Sequence, residues 1–227
     1  MRFALELSYN GAAYHGWQVQ NNAHTVQAEV NTALATLLGH EIETLGCGRT
    51  DTGVHALQYF AQFDTDKLPT NPVFRLNRIL PENIVINAVY QVPESFNARF
   101  DATYRLYEYH LHQKANPFLT GTSYYRFGGI NFAAMNAAAE KLFEYEDFEC
   151  FSKSRTQVKT FRCHIMQAEW KQLDDYRWVF VIKADRFLRN MVRAIVGTLI
   201  EVGNGKLDAA GFEDIIKSKK RTEAGQS

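Results

Sequence analysis

Phe3-Ala4-Leu5-Glu6-Leu7-Ser8-Tyr9 opens the chain with large apolar side chains on every second residue. That period of two predicts a strand buried on one face. A glycine-rich polar loop follows to about Asn22. Thr25 reads as an N-cap, and Val26, Val30, Ala33, Leu34, Leu37 and Leu38 share one face of a helix that Gly39 ends. A short strand (42–47), a loop, and a longer strand with Leu57, Tyr59, Ala61 and Phe63 on one side come next. Asn71-Pro72 starts a second helix running to Leu80, and residues 84–92 read as a strand. The order β-α-β-β-α-β predicts a ferredoxin-like half.

The pattern then repeats. A strand over 104–112, a helix from Asn131 to about Phe143, and strands over 163–171 and 176–184 joined at Leu173-Asp174-Asp175 make up most of a second half. Asp185 is expected to cap a helix bearing Leu188, Met191, Val192, Ile195, Val196, Leu199 and Ile200, and Asp208 a last helix to about Ser218. No strand pattern follows. The expectation is therefore an α+β protein of two ferredoxin-like halves, residues 1–103 and 104–227. Together they would form a mixed, mainly antiparallel sheet with helices on one side and a central cleft, the second half lacking its final strand.

At 227 residues and 46% hydrophobic, the chain can bury one large core or two small ones. Its formal charge is zero, with 25 basic and 25 acidic residues, but the two signs are segregated. Residues 1–150 hold 10 Lys/Arg against 16 Asp/Glu, and residues 151–227 hold 15 against 9. The basic C-terminal third is compatible with phosphate contacts. Cys47, Cys150 and Cys163 have neither metal-ligand spacing nor even pairing, which points to a reducing cytosol. No signal-peptide pattern opens the chain and no apolar run is long enough to span a membrane, so a cytoplasmic protein is expected.

Chemistry concentrates in Gly48-Arg49-Thr50-Asp51-Thr52-Gly53-Val54-His55, which carries no hydrophobic period and reads as a glycine-hinged loop. A carboxylate beside a guanidinium suits a nucleophile or electrostatic stabiliser better than a general acid. Cys47, four residues earlier, reads as a small packing residue. Arg186, Arg189 and Arg193 fall at i, i+3 and i+7 and so on one helix edge; Arg193 sits among apolar neighbours, where an arginine needs a partner and a carboxylate is the least costly one. Lys153, Arg155, Lys159 and Arg162 form a run with no acid between, either a phosphate-contacting loop or an ordinary surface loop. Tyr107 and Tyr109 on the 104–112 strand are core residues unless a site lies beside them.

The loop resembles the catalytic loop of the tRNA pseudouridine synthase A family, Gly-Arg-Thr-Asp-x-Gly-Val-His. Further matches run in order along the chain: Tyr9-Asn10-Gly11 with Tyr14-His15-Gly16-Trp17-Gln18, Thr25-Val26-Gln27, Leu76-Asn77, Leu80-Pro81, Ala98-Arg99-Phe100, Tyr104 to Tyr109, and Phe187 with Met191-Val192-Arg193 and Val196-Gly197. Asn10 stands where the family usually has an acid, and Thr52 where alanine is commoner. The resemblance implies that Asp51 is the essential aspartate and that Tyr107 stacks on the target uracil. It implies further that Arg193 pairs with Asp51 and that Arg49 helps displace the target nucleotide. It also implies isomerisation of uridine to pseudouridine at positions 38–40 of the tRNA anticodon arm, by a homodimer and without a cofactor. Attack of Asp51 on ribose C1′, its addition to uracil C6, and abstraction of the 2′ proton all remain open. A non-catalytic RNA-binding protein of two ferredoxin-like halves is the competing reading, but it leaves Asp51, flanked by Arg49, without a purpose.

Overall fold

The computed structural model describes residues 1–153 and 158–226. The chain forms two compact units, Met1–Ala102 and Thr103–Ser227. Arg155 lies outside the described residues.

In the first unit, β1 (Arg2–Tyr9), β2 (Leu45–Gly46), β3 (Ala56–Asp64) and β4 (Ile84–Val92) pair in the order β2-β3-β1-β4, all antiparallel. The alternation at the N-terminus is realised directly. Phe3, Leu5, Leu7 and Tyr9 are buried on the face that α1 (Val26–Leu38) and α2 (Pro72–Ile79) cover with Val26, Val30, Ala33, Leu34 and Leu76. Thr25 caps α1 by accepting from the Ala28 amide at 3.4 Å, and Gly39 ends it at φ 82°. Each helix also grips a strand through an asparagine. Asn31 of α1 accepts from the amide and the hydroxyl of Thr44, just before β2. Asn77 of α2 donates to the Ile86 carbonyl at 2.9 Å and accepts from its amide at 2.7 Å.

In the second unit, β5 (Arg105–His112), β6 (Tyr124–Tyr125), β7 (Ile165–Gln172) and β8 (Arg177–Ala184) pair in the order β6-β5-β8-β7. The sheet is antiparallel except for the short parallel pairing of β6 with Leu111 and His112. The hairpin expected at Leu173-Asp174-Asp175 is there, with the Asp174 carboxylate accepting from the Tyr176 and Arg177 amides. Phe180, Ile182, Leu111 and Trp170 of the sheet bury against Phe132 and Met135 of α3 (Phe132–Glu140), Ile195 and Leu199 of α4 (Met191–Gly203), and Phe212 and Ile216 of α5 (Ala209–Ser218). The asparagine grip recurs: Asn136 of α3 donates to the Trp170 carbonyl at 3.1 Å and accepts from its amide at 2.7 Å. These are outward-facing groups of β7, an edge strand whose other side pairs with β8.

Some boundaries move. The strand expected over 42–47 shrinks to Leu45–Gly46, and α3 tightens into a 3₁₀ turn at Lys141–Glu144 instead of running on to Phe143 as an α-helix. Leu57 is 85% exposed at the start of β3, although the other three residues read onto its face are buried. Asp185 does not cap a helix. Its carboxylate accepts from the His164 and Arg186 amides, tying the end of β8 to the start of β7. α4 starts only at Met191, after Asn190 reverses the chain at φ 68°. Arg186 and Arg189 therefore lie outside the helix, and the three-arginine edge does not exist. After α5 no strand follows among the described residues. The 220–226 segment passes α4 instead, the Gly225 amide donating to Thr198 Oγ1 at 2.9 Å.

Asn136→Ala removes both bonds to Trp170 and leaves an amide and a carbonyl of a part-buried edge without partners, a loss of about 1–3 kcal/mol. Urea unfolding of the variant is expected at a lower midpoint with an unchanged slope; an unchanged midpoint would count against the grip.

Candidate active site

Asp51 sits in a loop whose shape is set by the segment that precedes α1. The amides of Val26 and Gln27, left without intrahelical acceptors at the helix start, donate to the carbonyls of Gly16 (3.2 Å) and Trp17 (2.9 Å). The same short segment then pairs with the loop: the Trp17 amide donates to the Thr50 carbonyl at 3.3 Å, and the Gly53 amide to the Tyr14 carbonyl at 3.2 Å. Asp51 itself begins a turn closed by the Val54 amide on the Asp51 carbonyl, with Gly53 at φ 76°.

Two glycines make the approach possible. A Cβ on Gly16, already at φ 88°, would fall on the Thr50 carbonyl oxygen, and one on Gly11 would fall on that of Val54. Any side chain at either position would push the loop off its bed. Under the loop lies an aromatic layer. The Trp17 and Tyr59 ring centroids are 4.3 Å apart, and those of Tyr9 and Tyr59 5.7 Å. All three residues are buried, and two reach up to the loop: the Tyr9 hydroxyl bonds Thr50 Oγ1 at 2.9 Å, and the Tyr59 hydroxyl donates to the Gly48 carbonyl. His55 Nδ1 accepts from the Gly11 amide at 3.1 Å, which places the hydrogen of the neutral ring on Nε2. Above this bed Asp51 is half-buried and Arg49 exposed. Cys47 is half-buried against the core of the unit, as a packing residue.

Tyr107 and Arg193 belong to the second unit. Tyr107 is half-buried on β5, opposite Ile182 of β8, and meets Phe187 edge-on at 5.2 Å. It is neither a pure core residue nor a surface one. Arg193 occupies the first turn of α4 and is exposed. The apolar neighbours that flank it in sequence turn inward, so its side chain is not buried among them. Its charge lies near Tyr109, where it opposes the rise that burial imposes on the phenol pKa. Tyr107, Tyr109 and the start of α4 thus share the helix-covered face of one sheet.

Among the described residues no group of three or more His, Cys, Asp or Glu side chains could hold a metal ion, and no helix is long and apolar enough to cross a membrane. Cys150 and Cys163 are buried, and burial pushes both thiols up to about 12.

Comparisons with known proteins show what the chain is related to. A profile of the tRNA pseudouridine synthase family matches residues 138–227. Over its full length the chain is 49% identical to the tRNA pseudouridine synthase A of Bacteroides thetaiotaomicron, covering 86% of that protein. It is 46% identical to that of Porphyromonas gingivalis, covering 92%, and 37% to that of Ruminiclostridium cellulolyticum, covering 94%. The chain belongs to the tRNA pseudouridine synthase A family. In this chain the Asn10 side-chain oxygen accepts from the Ala12 amide at 3.0 Å, capping the turn at Gly11–Ala13.

Tyr9, Gly11, Gly16, Trp17 and Tyr59 were not singled out as site residues from the sequence. Their signal was present: a strand-end tyrosine, then glycines and aromatics with no hydrophobic period between them. It said only that the segment was a loop, and the register against residues 50–54 is a tertiary fact.

Gly16→Ala is expected to lower stability by about 1–3 kcal/mol and to speed hydrogen exchange at the Trp17 and Gly53 amides. Exchange at wild-type rates in that variant would show that the glycine does not set the loop. In thiol titration at pH 8, at most one of the three free cysteines of the native protein should react. All three should react in guanidinium chloride, because the two buried thiols regain their ordinary pKa on unfolding.

Proposed function

We propose that this chain converts uridine to pseudouridine at positions 38–40 of the anticodon arm of tRNA. The observation that carries the reading is the Asp51 loop, held rigid by backbone approach at Gly11 and Gly16, in a chain aligned along its whole length with relatives named tRNA pseudouridine synthase A. Asp51 is the catalytic carboxylate. Tyr107 stacks on the detached uracil, Arg193 pairs with Asp51, and Arg49 helps displace the nucleotide from its stack.

The reaction breaks the bond from ribose C1′ to uracil N1, turns the base, and forms the bond from C1′ to C5; the C5 hydrogen leaves as a proton and N1 gains one. Reactant and product are isomers, so the chemistry calls for no redox partner or group donor. Extruding the target base costs a few kcal/mol, which contacts to the rest of the RNA must offset. The basic balance of residues 151–227 is suited to supplying them. A homodimer, the assembly the family resemblance implies, would double that surface. A cytoplasmic location fits the three free thiols and the substrate.

Asp51→Asn should abolish tritium release from tRNA carrying 5-tritiated uridine while tRNA binding stays near wild type; substantial turnover in the variant would remove Asp51 from the chemistry. Tyr107→Ala should cost far more turnover than Tyr107→Phe, since the face of the ring rather than its hydroxyl is used. Light scattering should give a mass near twice 26.0 kDa.

A further inference from the structure

The loop after β5, residues 113–129, which includes β6, carries several exposed aromatic side chains. Phe118 is 90% exposed, Phe127 74%, Tyr124 46% and Tyr125 45%. Exposed rings this dense on one short loop mark an interaction site rather than chance. The loop is well ordered by its own bonds. Asn116 caps the Phe118 amide at 3.0 Å, the Leu119 carbonyl accepts from the Thr122 and Ser123 amides, and Gln113 Nε2 closes the loop on the Gly128 carbonyl at 2.9 Å. From below, Tyr124 packs beside Tyr109 and Tyr125 lies against His112. The rings are therefore presented at little ordering cost.

Charge decides what they are presented to. No Asp or Glu occurs between Glu108 and Glu140, while Lys114 and Arg126 fall within the loop. The Arg126 guanidinium donates to Asn204 Oδ1 and to the Phe127 carbonyl, both neutral, so its positive charge remains. The hairpin beside Lys114 holds Asp174, which Arg177 already pairs with at 2.6 Å, and an exposed Asp175, so one carboxylate lies near the two cations of the loop. A polyanion with exposed π-faces suits the same surface, because bases stack on aromatic rings irrespective of sequence while phosphates meet the cations.

We propose that the 113–129 loop is a nucleotide-stacking subsite: Phe118 and Phe127 stack on unpaired bases of the tRNA, and Lys114 and Arg126 face its phosphates. The proposal rests on the reading of the chain as a tRNA-modifying enzyme and adds a contact away from the reacting uridine. The test compares wild type, the Phe118→Ala/Phe127→Ala double variant, the Phe118→Tyr/Phe127→Tyr double variant and Lys114→Glu, using tRNA filter binding, tritium release and sedimentation. The alanine pair should bind tRNA about tenfold or more weakly, with the loss appearing in KM rather than kcat, and the tyrosine pair should restore binding because it keeps the rings. Lys114→Glu should weaken binding and flatten its salt dependence. Binding by the alanine pair and by Lys114→Glu within twofold of wild type overturns the proposal. So does conversion of a dimeric wild type to monomers by the alanine pair, which would make the loop a protein interface. If wild type binds tRNA but releases no tritium, the isomerase reading fails, and the binding comparison still decides the subsite. If wild type does not bind tRNA at all, both fail.

Discussion

Everything proposed for the chemistry of this chain depends on a close approach of two stretches of backbone, Gly11 to Trp17 against Thr50 to Val54. A carboxylate on a surface loop is an indifferent catalyst unless it is held in one place, since effective concentration is lost as soon as the reacting group wanders. Here the holding is done almost entirely by main chain. The amides of Trp17 and Gly53 cross between the segments, and the room for them exists because Gly11 and Gly16 have no Cβ. Side-chain bonds from Tyr9, Tyr59 and His55 finish the support. The first turn of α1 is part of the same structure, because its otherwise unsatisfied amides fix Gly16 and Trp17.

The two units fold on the same plan. Each packs its helices on one face of an antiparallel core of strands, and in each the first helix reaches over with an asparagine to satisfy backbone near an edge strand, Asn31 on Thr44 and Asn136 on Trp170. The second unit departs from the plan beside β5, where the two-residue β6 occupies the place that β4 takes next to β1. That substitution makes the 113–129 loop part of the sheet's own architecture and gives it a rigid base.

Most of the fold was legible in the chain because it is written in local periods. Alternation from Phe3 to Tyr9, the capping pair Thr25 and Gly39, and the proline after Asn71 each state an element without reference to anything distant. The failures also have local causes. Asp185 looks like an N-cap, but it has closer backbone amides to satisfy across the sheet, and Asn190 can take the left-handed conformation that starts α4 five residues later. Arg193 looks buried when its neighbours are read as a list; on a helix the same neighbours turn away from it.

The sequence alone determined the class of the fold, the Asp51 loop as the place to look for chemistry, and the family, since all three rest on residue types at short spacings that survive without coordinates. It also named Asp51, Tyr107, Arg193 and Arg49. Only the tertiary structure decided what supports Asp51, that Tyr107 is half-buried, and that Arg193 is exposed. Those are questions of which backbone lies against which, and of which side of an element is covered. Such contacts join residues as far apart as Tyr9 and Thr50, or Asn136 and Trp170, and no period within the chain encodes them.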